Sequence, residues 1–203
     1  MGCSGSKQHA YNLESEYTRH SLPQPDPLIF QSSFEKEAYQ TINLIRVAPK
    51  EMIPHIKAIK QHKFYKGQPI QPLIDYLNKI EPLPAVILDE NACKACRNNT
   101  DKKVKTDEDS GMENFEKGGN QDEFRGMLGN GKGIETDECT QIGWNGTASE
   151  LIYFQLVEGF KNSGTHAIID VKTIKVGVSL KPHKKLHNIF QILYVKQVSN
   201  QIA

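Results

Sequence analysis

Apolar residues fall into short blocks along the chain, and their spacing changes character twice. From Phe34 onward, Ala38, Ile42 and Ile45 recur at i, i+4 and i+7, the period of an amphipathic helix. Pro49 breaks that pattern, EMIPHIKAIKQ resumes it, and PLIDYLNKI after the turn at Lys66–Pro69 predicts another short helix. An extended PLPAVIL follows, and Asp89 stands where a side chain can cap the next helix. Between residues 99 and 133 the apolar period disappears. That stretch, NNTDKKVKTDEDSGMENFEKGGN and onward, is charged and glycine-punctuated and predicts mostly loop, with QDEFRGML as a short helix inside it. A Thr147-Ala-Ser-Glu150 capping box then opens a helix on LIYFQLV, expected to end near Gly159.

The last third switches to a period of two. In TIKVGVSL, Ile174, Val176, Val178 and Leu180 share one face, with Lys175, Gly177 and Ser179 on the other. NIFQILYVKQV is apolar on both faces, as an interior strand is, and LKPHKKLHN joins the two strands as a hairpin loop. Three or four helices around a small, mostly antiparallel sheet make an α+β fold, an α/β/α sandwich. The expected organisation is an extended N-terminal arm over residues 1–33, one domain over 34–198 and a short tail over 199–203. The arm carries PQPDP at Pro23 to Pro27, where alternate prolines disfavour helix.

Composition narrows the function classes. Lys and Arg number 25 against 24 Asp and Glu, so bulk charge gives no argument for nucleic acid. No apolar run reaches the roughly 18 residues a membrane-spanning helix needs, and no charged start with an apolar core reads as a secretory signal. The four cysteines are Cys3, Cys93, Cys96 and Cys139. They are too few for a secreted disulfide scaffold and point to a reducing compartment. Cys93 and Cys96, in a helical stretch with no partner pair of ligands, read as small core residues. The sequons at Asn98 and Asn145 would matter only in a secretory protein.

The opening MGCSGSK matters more. Gly2 with Ser6 fits the N-myristoylation pattern, and myristate alone anchors weakly, so a second signal is expected. Cys3 beside Gly2 is placed to supply it as palmitate. The implied localisation is cytoplasmic and membrane-associated, with the membrane surface as partner through acyl chains. The alternative is a protein partner along the arm, in a cytoskeletal or ciliary assembly.

Six segments in order resemble the CAP superfamily, in its SCP-like branch of bacteria and protists: INLIRVAPKEMI, PLPAVILDENACKAC, DECTQIG, ASELIYFQLVEGF, SGTHAII and IKVGVSL with the closing strand. The resemblance covers about residues 34–197, and an intracellular minority of that family pairs the domain with a myristoylated N-terminus. It implies the CAP-type α/β/α sandwich and a cleft of two His and two acidic residues, which holds zinc or another divalent cation in some members. Glu138, Glu158 and His166 match three of those positions. The fourth has no counterpart, because no histidine lies between His62 and His166. Ala167 replaces the family's Arg, and Asp137 the Gly before its Glu. The expectation is therefore a degenerate cleft without metal, cofactor or catalysis, in a binding or scaffold module. Glu138 is expected to face His166 across that cleft, ion-paired to a charged imidazole. A metal-dependent hydrolase is the further alternative.

Other candidates are weaker. No G-x-S-x-G occurs, and GMLGNGKG at 126–133 lacks the phosphate-loop spacing. Trp144 reads as a core plug. Lys181, His183, Lys184, Lys185 and His187 make a basic hairpin tip that could meet anionic lipid heads or an acidic partner.

Overall fold

The structure, a computed structural model, describes residues 11–67, 69–110 and 134–197, the side chains of 106–110 excepted. The acylation heptapeptide, QDEFRGML, the glycine-rich run at 126–133 and the tail at 199–203 lie outside the described residues.

From residue 11 the expected extended arm is instead folded onto the domain. Helix α1 (Leu13–Arg19) starts behind Asn12, whose side chain accepts from the Ser15 amide, and carries Tyr17 into the core. The Tyr17 hydroxyl donates to the Pro23 carbonyl at 2.8 Å, which ties the proline stretch back, and Pro27–Ile29 makes one turn of 3₁₀ helix. Pro23 and Pro25 stand outside helix, while Pro27 opens the 3₁₀ turn at a position where no backbone donor is needed. The preceding residues have an acidic first turn and a basic last one, which suits the helix dipole.

Helix α2 (Ser33–Val47) is capped by Ser32 and buries Ala38, Ile42 and Ile45 as its spacing predicts. Tyr39 and Leu44 are buried as well, because α1, the sheet and the later helices surround it. Burial of Ile42, Leu44 and Ile45 contributes about 1.5–3 kcal/mol each. Helix α3 (Pro49–Ala58) begins on Pro49, and α4 (Gln71–Lys79) follows. After β1 (Ile87–Leu88), α5 (Glu90–Ser110) starts where Asp89 accepts from the Ala92 amide at 2.9 Å.

Helix α5 runs on to Ser110, correcting the loop expected from residue 99. The physical reason is polar packing. The Thr100 hydroxyl lies 3.1 Å from that of Ser179, and Lys103 donates to the Thr140 hydroxyl at 3.0 Å, so the inward stripe needs no apolar residues there.

Strand β2 (Ile134–Ile142), helix α6 (Ala148–Ser163) and strands β3 (Thr173–His183) and β4 (His187–Gln197) complete the described chain. Both halves of the Thr147–Glu150 capping box are made, but α6 runs past Gly159 and stops at Gly164, which takes the left-handed conformation at φ 69°. The sheet order is β1-β3-β4-β2, with β1 parallel to β3 and the other pairs antiparallel. The result is an α+β sandwich. Helix α5 covers one face, against Leu193 and Val195, while α2 and α6 enclose the main core with Val176, Val178, Phe190 and Ile192. Gly177 lets α5 lie close, since a Cβ there would sit 2.2 Å from the Ala92 carbonyl carbon.

Two strand details differ from the sequence pattern. A register shift between Thr173 and Lys175 turns Ile174 outward, away from the face of Val176 and Val178. The hairpin pairs through His183 and His187, so its turn is shorter than the LKPHKKLHN loop expected.

Candidate functional site

The segment that presents the candidate cleft is fixed by two polar residues of α2. Asn43 clamps Val86, accepting its N–H at 2.7 Å and donating to its carbonyl at 3.2 Å. Arg46, fully buried, donates from its guanidinium to the carbonyls of Pro84, Ile168, Asp170 and Thr173 at 2.8–3.0 Å. One side chain thus holds two loops and the start of β3 together, and burial lowers its pKa to about 10.

Behind that clamp, His166 accepts the Ile168 N–H at Nδ1 (3.1 Å) and caps the 3₁₀ turn Ala167–Ile169. Its ring stands edge-on to Tyr194, with centroids 5.8 Å apart at 84°. A Cβ on Gly159 would sit 2.2 Å from the ring's Cδ2, so glycine in mid-helix makes room for the imidazole instead of ending α6.

His166, Glu158 and Glu138 all border one cavity of about 620 Å³ between α6 and the β2–β4 side of the sheet. That lies within the roughly 300–1,000 Å³ of small-molecule sites. Helix α6 presents Gln155, Glu158, Gly159 and Asn162 to it, at the i, i+3, i+4, i+7 spacing of one helix face. Asp137, Cys139, Tyr194 and Lys196 border it from the sheet.

The expected Glu138–His166 pair is not formed. In the β2–β4 register, Asp137 opposes Tyr194 and Glu138 opposes Leu193, so strand alternation sends the two carboxylates to opposite faces. Glu138 accepts from the Gln191 amide at 3.1 Å on the α5 side, and Asp137 is the acidic neighbour of His166. Nor is the imidazole charged: burial lowers its pKa to about 4, outweighing the opposing effect of Asp137. Asp137 is itself engaged by Lys196 at 2.5 Å, and Lys196 also holds Asp170 at 3.1 Å.

The residues present do not suit the divalent cation that the resemblance implies. With Nδ1 accepting a backbone N–H, the neutral ring carries its proton on Nε2 and offers no lone pair to a metal. A ligating histidine donates its other N–H instead. Burial raises the Cys139 thiol to about 12 and Cys93 to about 11, and it holds Cys96 well above its usual value, so none of them supplies a thiolate. Among the described residues, three ligand atoms come within 4.8 Å of one another at Glu16, His20 and Glu51 instead. There Arg19 already bonds both carboxylates.

What the cavity does contain is polar groups lacking a partner among the described residues. Gln155 is 4% exposed, and neither its Nε2 nor its Oε1 has a hydrogen-bond partner there. Glu158 Oε1 and the hydroxyl of Tyr194, a residue 1% exposed, are buried in the same state. Unmatched buried polar atoms cost free energy, and they cluster where something else completes them. Gln155 interrupts the apolar run LIYFQLV, which is the one sequence signal for this cavity wall; Tyr194 and Gly159 carry none.

The basic hairpin is only partly available. Lys181 pairs with Asp101 at 3.1 Å, and buried His183 accepts the amides of Lys185 and Leu186, closing the turn. Lys184, Lys185 and His187 remain exposed. Trp144 is the core plug expected, its Nε1 donating to the Thr147 carbonyl at 2.9 Å and its ring stacked on His62.

No protein-family model matches the chain, and no curated protein matches it. Among solved structures it is similar to an outer surface protein from Borrelia burgdorferi, at 18% identity over 74% of this chain and 95% of that one, with a TM-score of 0.38. A likeness of that extent fixes neither family nor function.

Proposed function

We propose that this protein is a non-catalytic binding module of CAP type, whose cleft beneath α6 receives a small polar ligand. The observation that carries the reading is Gln155, buried at the cavity wall with both amide atoms unmatched by the described residues. The state of His166 favours binding over catalysis. A ring with one nitrogen accepting a backbone N–H and a pKa near 4 has no free lone pair to act as a base near neutral pH. The layered α+β architecture agrees with the motif order that resembles the CAP superfamily.

The module is further proposed to sit at a membrane surface through acyl chains on Gly2 and Cys3, in the cytoplasm. No described helix is long and apolar enough to cross a membrane. Attachment is proposed to rest on those chains, with Lys185 and His187 as exposed groups for anionic lipid.

Thermal unfolding against a panel of small anionic, neutral and cationic polar compounds tests the binding reading. At least one class should raise the midpoint of the wild type, and the same compounds should do less for Gln155→Met. A panel in which no class moves the wild-type midpoint overturns it.

A further inference from the structure

The arrangement of charge in the cleft narrows what it would bind, given the binding reading just proposed. We infer that the cleft takes a primary ammonium group on a short aliphatic chain, with the Glu158 carboxylate as its counterion and Gln155 and Tyr194 as its polar partners.

The cavity is bordered by three acidic residues, Asp137, Glu138 and Glu158, of which Glu138 turns its carboxylate to the α5 side, and by one basic residue, Lys196. Lys196 is held by Asp137 and Asp170, and Glu138 accepts from Gln191. His166 is neutral, since burial lowers its pKa to about 4. Glu158 is left with a buried oxygen and no donor among the described residues, at a wall that offers no uncommitted cation.

A buried carboxylate is completed by a charged donor far better than by a neutral one. An anionic ligand would meet like charge from Glu158 and gain nothing from Lys196, which two carboxylates already neutralise. An ammonium carries three donors, enough for Glu158 Oε1, Gln155 Oε1 and the Tyr194 hydroxyl oxygen. Phe154, Cys139 and Ala167 border the same cavity and suit an alkyl chain behind the charge. Divalent cations are a poorer fit, because the His166 tautomer withholds its nitrogen.

Such a group is supplied either by a free alkylamine or by a lysine side chain, and the probes separate the two sources. Calorimetric titration of the full-length protein compares n-butylammonium, n-butanol, butyrate and Nα-acetyl-lysine methylamide. Binding of n-butylammonium, with n-butanol and butyrate inert, supports the inference. Preference for it over the lysine derivative identifies a free amine, and the reverse identifies a lysine side chain. Glu158→Gln, nearly isosteric, should weaken the bound amine at least about tenfold. Raised salt should weaken it too.

Binding of n-butanol or butyrate without either amine overturns the ammonium assignment while leaving the cleft a binding site. A panel in which none of the probes binds overturns the assignment as well, and the broader compound screen then decides the binding reading separately. Amine binding that Glu158→Gln does not weaken places the amine elsewhere and also overturns it.

Discussion

At the scale of single residues, His166 shows how burial decides chemistry. Its ordinary pKa of 6.5 falls to about 4 in the folded chain, so the native state binds fewer protons than the unfolded state between those values. Stability is therefore fully present above about pH 6.5 and is lost as the pH falls toward 4. The penalty approaches about 3 kcal/mol at the acid end. Burial is the leading cause; Asp137 opposes the shift, Lys196 adds to it, and the Tyr194 ring packs on the imidazole. His166→Asn keeps an acceptor for the Ile168 amide and cannot titrate. Urea unfolding from pH 7 to pH 4 should give it a shallower loss than wild type, and equal slopes would contradict the buried neutral ring.

Gln155 gives the complementary case. A buried amide without partners costs about 1–3 kcal/mol, so Gln155→Met should stabilise the ligand-free protein by about 1–2 kcal/mol. Destabilisation of that variant in a denaturant midpoint would mean that the amide is used by the fold.

At the scale of elements, much of the architecture was legible, and Glu138, Glu158 and His166 do border one cavity, but the orientation of the groups around it was not legible. Caps and periods marked α2, α6 and the β3–β4 hairpin because those elements bury an apolar face against an apolar partner. Helix α5 beyond residue 99 escaped notice because Thr100 and Lys103 pack against Ser179 and Thr140, and polar packing leaves no hydrophobic period. The motif position of Glu138 implies a pair with His166, but the face of a strand side chain depends on register, and one step of register exchanges the two faces. Asp137 and Glu138 both border the cavity, but pairing with β4 leaves Asp137 as the acidic neighbour of His166 and turns the Glu138 carboxylate to Gln191. Arg46 was visible only as part of INLIRVAP. Its role depends on carbonyls more than 120 residues away in sequence, at Ile168, Asp170 and Thr173. Arg46→Lys presents one ammonium where a planar fork reached four carbonyls. It should cost about 3 kcal/mol or more in chemical denaturation and broaden the NMR signals of residues 166–170. A variant within about 0.5 kcal/mol of wild type would show that the clamp does not hold those loops.

At the scale of the whole molecule, the proposed tether and the proposed cleft are separable. Gly2→Ala should shift the protein from the membrane to the soluble fraction. Cys3→Ser should leave it weakly and reversibly bound, since one acyl chain alone is marginal. Sedimentation of both variants like the wild type would mean that protein contacts hold the N-terminus. Neither change should alter ligand binding in the cleft, which lies between α6 and the sheet.

The central claim is that the polar groups lining this cleft are completed by a ligand and not by the protein. Its most direct measurement is solvent exchange of the Gln155 side-chain amide by NMR, in the free protein and with each compound of the polar panel. The account predicts an unprotected amide in the free protein, which shifts and becomes protected when a binding compound is added. An amide already protected in the free protein, and unmoved by every compound, would contradict it.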